Sequence, residues 1–132
     1  MALKMYRTLF VVAAISSVMV SVSASTTHVV GDQQGWILPD NPNFYADWAK
    51  NKTFAVGDKL AFHYKAGSNN VVEVSKEDYE GCTVRNLLNT YYKGETVLTL
   101  DREGDYYYFC EVGKHCEAGQ KLHVTVCKGH GH

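Results

Sequence analysis

An all-β sandwich with one or two short helices is the fold class that the 132-residue sequence predicts. Three observations carry it. Apolar residues recur at every second position: Leu60, Phe62 and Tyr64 alternate with Ala61, His63 and Lys65, and Leu122, Val124 and Val126 with His123, Thr125 and Cys127. The runs are short, and turn signals such as Val56-Gly57-Asp58 and Arg102-Glu103-Gly104-Asp105 separate them. Several strands of this length and spacing imply two packed sheets rather than a helical or α/β domain.

Taken in order, the first 24 residues read as a secretory signal. Lys4 and Arg7 precede an apolar run from Leu9 to Val22, and Val22-Ser23-Ala24 has the small residues of a cleavage site. The run is too short for a membrane span of roughly 20 residues, so no membrane anchor is expected. The domain then occupies residues 25–127, followed by a flexible tail, 128–132. The signal holds two of the 13 basic residues and none of the 14 acidic ones, so the mature net charge is −3. That balance excludes a nucleic-acid-binding surface of the usual kind. Beyond the two alternating strands, further strands are expected at 27–30, 53–56, 71–75, 96–100 and 105–110. Helices are expected at 44–51, after Asp40-Asn41-Pro42, and at 76–79, where Ser75 offers a cap. In Tyr106-Tyr107-Tyr108-Phe109 alternate rings are expected to pack the core. Asn51-Lys52-Thr53 is a glycosylation sequon just ahead of a strand, which makes Asn51 a candidate glycan site.

Cys82, Cys110, Cys116 and Cys127 all enter an oxidising compartment and allow three complete pairings. If the last two strands form one hairpin, Cys110 lies near Lys121 and Cys127 near Gly104. At about 3.3 Å per residue those two cysteines are about 20 Å apart, well beyond the ~7 Å between Cα atoms that a bridge permits. A Cys110–Cys127 bridge is excluded on that ground, and the partner of Cys82 stays open.

The segment with the clearest chemistry is Cys110-x4-His115-Cys116-x3-Gln120, followed at once by the last strand. A thiolate, an imidazole and an amide oxygen at this spacing suit a trigonal copper site. Such a site places two imidazole nitrogens and one thiolate close to the metal and leaves a weak axial Met or Gln. One further histidine is needed from upstream. Each loop residue also has a plainer reading, because a buried free cysteine often acts as a small hydrophobe. A Cys–His hydrolase built on Cys110 and His115 is disfavoured, since nothing marks an orienting third group or an oxyanion donor set. No enzymatic activity is expected.

Val30-Gly31-Asp32, Gly35-Trp36, Trp48-Ala49, Thr53-Phe54-Ala55-Val56-Gly57-Asp58, Val71-Val72-Glu73-Val74, Asp78-Tyr79, Cys82 and the Cys110–Gln120 loop together resemble the phytocyanins, the plant cupredoxins. The resemblance implies a Greek-key β-sandwich, a Cys82–Cys116 disulfide, and one copper ion held by Cys110, His115 and Gln120. An axial Gln is similar to the stellacyanin type. The fourth ligand implied is the His of a His-Asn-Val motif, and here the motif reads Asn69-Asn70-Val71. Asn69 supplies an amide oxygen where a basic imidazole belongs, and such oxygens suit harder cations than copper. Among possible substitutes, His63 and His123 fall on outward strand faces, His28 is assigned no specific role, and His130 and His132 lie in the tail.

Two functions follow from the resemblance. One is secreted one-electron transfer at an altered type 1 copper site; the other is a copper-free recognition or structural module of the early nodulin-like kind. The expected location is extracellular, in the apoplast or cell wall, and the expected partner is a redox protein or a cell-wall component. Cys127, left unpaired, offers a disulfide-linked dimer.

Overall fold

The computed structural model describes residues 24–128; the expected signal, but for Ala24, and the tail beyond Lys128 with His130 and His132 lie outside them. In chain order the elements are β1 (Thr27–Val29), a 3-10 turn (Asp32–Gln34), α1 (Phe44–Lys50), β2 (Phe54–Ala55), β3 (Lys59–Phe62), β4 (Val71–Val74), α2 (Lys76–Gly81), β5 (Leu87–Tyr91), β6 (Thr96–Thr99), β7 (Gly104–Phe109) and β8 (Lys121–Cys127). The strands form a three-stranded sheet, β1-β3-β6, and a five-stranded sheet, β2-β8-β7-β4-β5. Both sheets are mixed, because β1 runs parallel to β3 and β2 parallel to β8.

Side-chain alternation on the central strands divides the apolar residues between two cores. Tyr106 and Tyr108 of β7 point between the sheets and join Trp36, Tyr45, Leu60, Phe62, Leu122, Val124 and Val126. Phe109 points the other way and packs with Val72, Val74 and Cys116 under α2. The aromatic run therefore packs as its alternation predicts. Trp36 is fully buried, with its ring 4.9 Å from that of Tyr45 and 5.0 Å from that of Phe62. Aromatic packing of this kind contributes beyond the area that the rings remove from water.

The buried polar groups that hold this core are paired. The Tyr45 hydroxyl donates to the Gly35 carbonyl at 2.6 Å and accepts from the Ile37 N–H at 2.9 Å, which ties α1 to the strap carrying Trp36. Burial raises the Tyr45 phenol to about 12. Ser75 caps α2 by accepting from the Asp78 N–H, and α2 ends at Cys82 in the left-handed conformation. Asp78 is itself buried and accepts from Thr83 Oγ1 at 2.5 Å and from the Asn86 N–H, so one carboxylate shapes the turn that leads to β5.

The structure corrects the sequence reading at several points. His28 has a specific role: its Nε2 lies 2.9 Å from Asp58 Oδ2 and its ring is 4.6 Å from that of Phe54. Asp58 is fully buried and also accepts the Thr26 and Ala55 N–H groups, so it fastens β1 to the β2–β3 turn. Ala61 is buried although alternation turns it outward, because its short side chain sits between the flanking strands β1 and β6. The edge strand β5 was not anticipated; its side chains are mostly exposed and give no apolar alternation. Asn51 follows α1 and is exposed, as the sequon requires.

Two outcomes follow. Tyr45→Phe leaves the buried Gly35 carbonyl and the partly buried Ile37 N–H without their partner, so it should destabilise the fold by about 1–3 kcal/mol in urea unfolding, with no loss of secondary structure by circular dichroism. For Asp58, burial raises the carboxyl, but the hydrogen bonds from His28, Thr26 and Ala55 outweigh it and hold the group below its ordinary 3.8. A depressed folded pKa contributes stability above the unfolded value that is lost as pH falls through the folded value. Asp58→Asn should therefore be less stable than wild type at pH 7 and should close that gap below about pH 4, read from unfolding free energies across the pH range.

Candidate metal centre

The β7–β8 hairpin builds the site. Six consecutive cross-strand pairs run from Gly104 opposite Val126 to Phe109 opposite Lys121. The Cys110 N–H then donates to the Gln120 carbonyl at 3.0 Å, so the two residues emerge side by side at the end of the ladder. The connecting loop is closed on itself, with the His115 N–H donating to Val112 and the Gln120 N–H to the His115 carbonyl. Gly119 has φ +110°, and a Cβ there would come within 2.5 Å of the Pro42 carbonyl. Only glycine permits that approach, which seats the loop against the segment before α1.

Cys116, directly after His115, is bridged to Cys82 at the end of α2, so the residue beside His115 is covalently fixed to the five-stranded sheet. Cys110 is a buried free thiol and Cys127 an exposed one. The Cys127 thiol donates to the Phe54 carbonyl at 3.2 Å.

All four positions singled out in the sequence converge. His115 Nδ1 lies 3.5 Å from Cys110 Sγ and 2.9 Å from Gln120 Oε1, and Asn69 Oδ1 lies 3.7 Å from the sulfur. Cys110 and Gln120 are fully buried, Asn69 is 7% exposed, and His115 alone of the four is partly open to solvent. His63 is not brought in. Its ring is paired with Glu95 at 2.8 Å on the surface, and the His123 ring is likewise paired with Asp105 at 2.9 Å.

The positioning role of Asn70 and Trp36 is the part that sequence reasoning missed. Asn70 Oδ1 accepts the Glu111 N–H at 2.7 Å, the Asn70 N–H points at Cys110 Sγ from 3.5 Å, and the Asn70 carbonyl accepts from Trp36 Nε1 at 2.8 Å. Asn70 thus joins the loop before β4 to the loop after β7, with the buried indole as its anchor. The Asn doublet directly ahead of a buried valine pair was the available signal.

Burial pushes the Cys110 thiol up, and the nearby charge of Glu111 adds to this, while the N–H groups of Asn70 and Val112 pull it partly back. The sulfur is accordingly a thiol that donates weakly to Asn69. A metal held by this sulfur and Nδ1 at about 2.3 and 2.1 Å would set the two atoms about 3.6 Å apart at a tetrahedral angle, which is close to their present spacing. The Gln120 Nε2 atom is buried with no hydrogen-bond partner among the described residues, whereas Oε1 is aimed into the cluster. A buried amide with one end orphaned is costly unless that orientation serves the oxygen. Among the described residues no three histidine, cysteine or carboxylate side chains gather. The site therefore offers two strong donors, Cys110 and His115, flanked by two amide oxygens.

Comparison with known proteins identifies the family. The plastocyanin-like domain family matches residues 36–120. Cucumber peeling cupredoxin from Cucumis sativus is 44% identical over 77% of this chain and 76% of its own length. Early nodulin-like protein 14 from Arabidopsis thaliana is 39% identical over 80% of this chain, which spans only 59% of that relative. The solved structure of cucumber stellacyanin with Cu2+ superposes with a TM-score of 0.74 at 42% identity, covering 79% of this chain and 96% of that one. A family match across most of the domain, together with the shared two-sheet fold, makes this chain a member of the plastocyanin-like family, among the phytocyanins.

Proposed function

We propose that the protein is a secreted one-electron carrier that binds one copper ion at an altered type 1 site and is not an enzyme. The observation that carries this reading is the convergence of Cys110 Sγ, His115 Nδ1 and Gln120 Oε1 in a buried pocket whose amide orientation leaves Gln120 Nε2 unpaired. Cys110 and His115 would hold the ion, with Gln120 and Asn69 as weaker oxygen donors. When bound, copper supplies a couple that exchanges one electron without making or breaking covalent bonds of the protein. The chain's own part is to keep one geometry for both states. The Cys82–Cys116 bridge fixes the loop at His115, and the Trp36–Asn70 bond fixes the side that carries Asn69. Burial of Cys110 and Gln120 excludes water, and the open edge of His115 gives the shortest route to a partner. Metal uptake has to expel the thiol proton of Cys110 and free His115 Nδ1 from Gln120, so affinity rises with pH.

A second reading, the copper-free extracellular module, draws on Asn69. With an amide in place of imidazole, the thiol-to-Asn69 and His115-to-Gln120 contacts already join the four side chains without a metal. Copper titration separates the two. Under the first reading the wild type binds one equivalent, without the intense thiolate-to-copper colour of a trigonal site, because an amide oxygen does not replace the missing imidazole. Asn69→His should then turn the protein intensely blue, and copper should raise its melting temperature more than that of wild type, since a ligand specific to the native state stabilises it by an amount that grows with the logarithm of its affinity. A wild type that takes up no copper favours the module. A colourless Asn69→His variant shows that the site has changed beyond this residue.

The exposed Asn51 would carry a glycan in the extracellular space, consistent with the signal at residues 1–24. The exposed Cys127 thiol would link two copies. A dimer on non-reducing gels, absent from Cys127→Ser, is the expected result; a monomeric wild type would mean that the hydrogen bond to Phe54 shields the sulfur.

A further inference from the structure

The side of the sandwich opposite the β1 and β2 edges is open, and β5 and β6 face one another across it as edge strands. Between them lies a cleft of about 430 Å³ whose lining includes Glu73, Tyr91, Tyr106 and Tyr108. None of Asn69, Cys110, His115 or Gln120 takes part in it.

Alternation along β4 makes Glu73 the anomaly. Val72 and Val74 pack on Phe109 and Cys116, whereas Val71 faces the core between the sheets, so Glu73 shares that inward face with Val71. An inward position reserved for an apolar side chain thus carries a carboxylate that is only 9% exposed. Among the described residues its carboxylate has one hydrogen bond, accepted by Oε1 from Asn89 Nδ2 at 3.1 Å across the β4–β5 pair. A neutral amide does not compensate a buried charge, and among the described residues no lysine or arginine pairs with Glu73. Tyr108, its neighbour on β7, is 1% exposed and lines the same cleft, and its hydroxyl meets no hydrogen-bond partner among the described residues. The Tyr91 hydroxyl is also unpartnered there. Burial, and then the negative charge of Glu73, pushes both phenols up, which marks the three groups as neighbours.

Three further polar groups of the cleft, Asp101, Arg102 and Tyr106, are engaged with each other. Arg102 lies over the Tyr106 ring at 4.3 Å, and the Tyr106 hydroxyl donates to Asp101 at 3.1 Å. Leu88 and Val97, both more than half exposed, form an apolar rim.

We propose that this cleft binds a small organic ammonium ion, a primary amine on a short apolar or aromatic stem. The ammonium donates to Glu73 and to the Tyr91 and Tyr108 hydroxyls, and the stem lies on Leu88 and Val97. The two hydroxyls can accept or donate, but the carboxylate only accepts, so the group that meets Glu73 has to donate; its negative charge selects a cation over a neutral alcohol and repels an anion.

Calorimetric titration of the purified protein with 2-phenylethylammonium, 2-phenylethanol and phenylacetate tests this, since the three probes share a stem and differ in charge. The ammonium should bind about tenfold more tightly than the alcohol, the gain of one charge-assisted contact, and the acid should not bind. Glu73→Gln should abolish the difference between amine and alcohol. Tyr108→Phe should weaken the amine severalfold while leaving copper uptake unchanged. Leu88→Lys, at an exposed position that the fold does not need, places a competing ammonium at the rim and should also suppress amine binding, so the test survives a Glu73 variant that fails to fold. Equal binding of amine and alcohol, amine binding indifferent to Glu73→Gln or Leu88→Lys, or no saturable amine binding at millimolar concentration would each overturn the proposal.

Discussion

The hydrogen bond from the Cys110 N–H to the Gln120 carbonyl is the constraint on which the centre depends. It is the last rung of a ladder whose register is set by side-chain alternation on β7 and β8, and a slip of one residue would turn every buried side chain of the hairpin outward. The core therefore enforces the register, and the register delivers a thiol and an amide to one spot. The intervening residues form a loop short enough to return His115 to the same spot. The convergence of Cys110, His115 and Gln120 is thus a by-product of packing Tyr106, Tyr108, Leu122 and Val124 between two sheets.

Much of this was legible because period-two alternation and loop spacing are local properties. The two terminal strands, the aromatic run, the cap at Ser75 and the Cys-His-Gln loop can each be read within about a dozen residues. The exclusion of a Cys110–Cys127 bridge rested on the hairpin alone and agrees with the observed pairing of Cys82 with Cys116. What was not legible depends on contacts between distant segments. Edge strand β5 is defined by its partner β4 and not by its own composition, since four of its five residues are exposed. His28 acquires a role only when β1 lies beside β3 and brings it to Asp58, 30 residues away. Asn70 reads as an ordinary loop residue until the fold sets it between Trp36 and Glu111.

The buried polar residues divide into two kinds on the same physical test. Asp58 and Asp78 each accept several hydrogen bonds, and in both the bonds overcome the effect of burial and hold the carboxyl below its ordinary range. Such groups are structural, and each orders a turn that apolar packing alone would leave loose. Gln120 and Glu73 are satisfied on one side only. They stand at separate places, one at the end of the β7–β8 hairpin and one in the cleft between β5 and β6.

Asn69 shows why position and chemistry have to be argued separately. The backbone that carries it is fully specified: its N–H donates to Lys65, and the next residue is held by Trp36. The side chain arrives at the sulfur at 3.7 Å, as a residue in a ligand position should. The position thus faces the sulfur while the atom it presents is a neutral amide oxygen, a weaker donor than imidazole nitrogen toward a soft or borderline metal. Because Asn69 is placed by its own backbone and by its neighbour Asn70, its position in the cluster is set by the fold and its donor atom by the side chain alone.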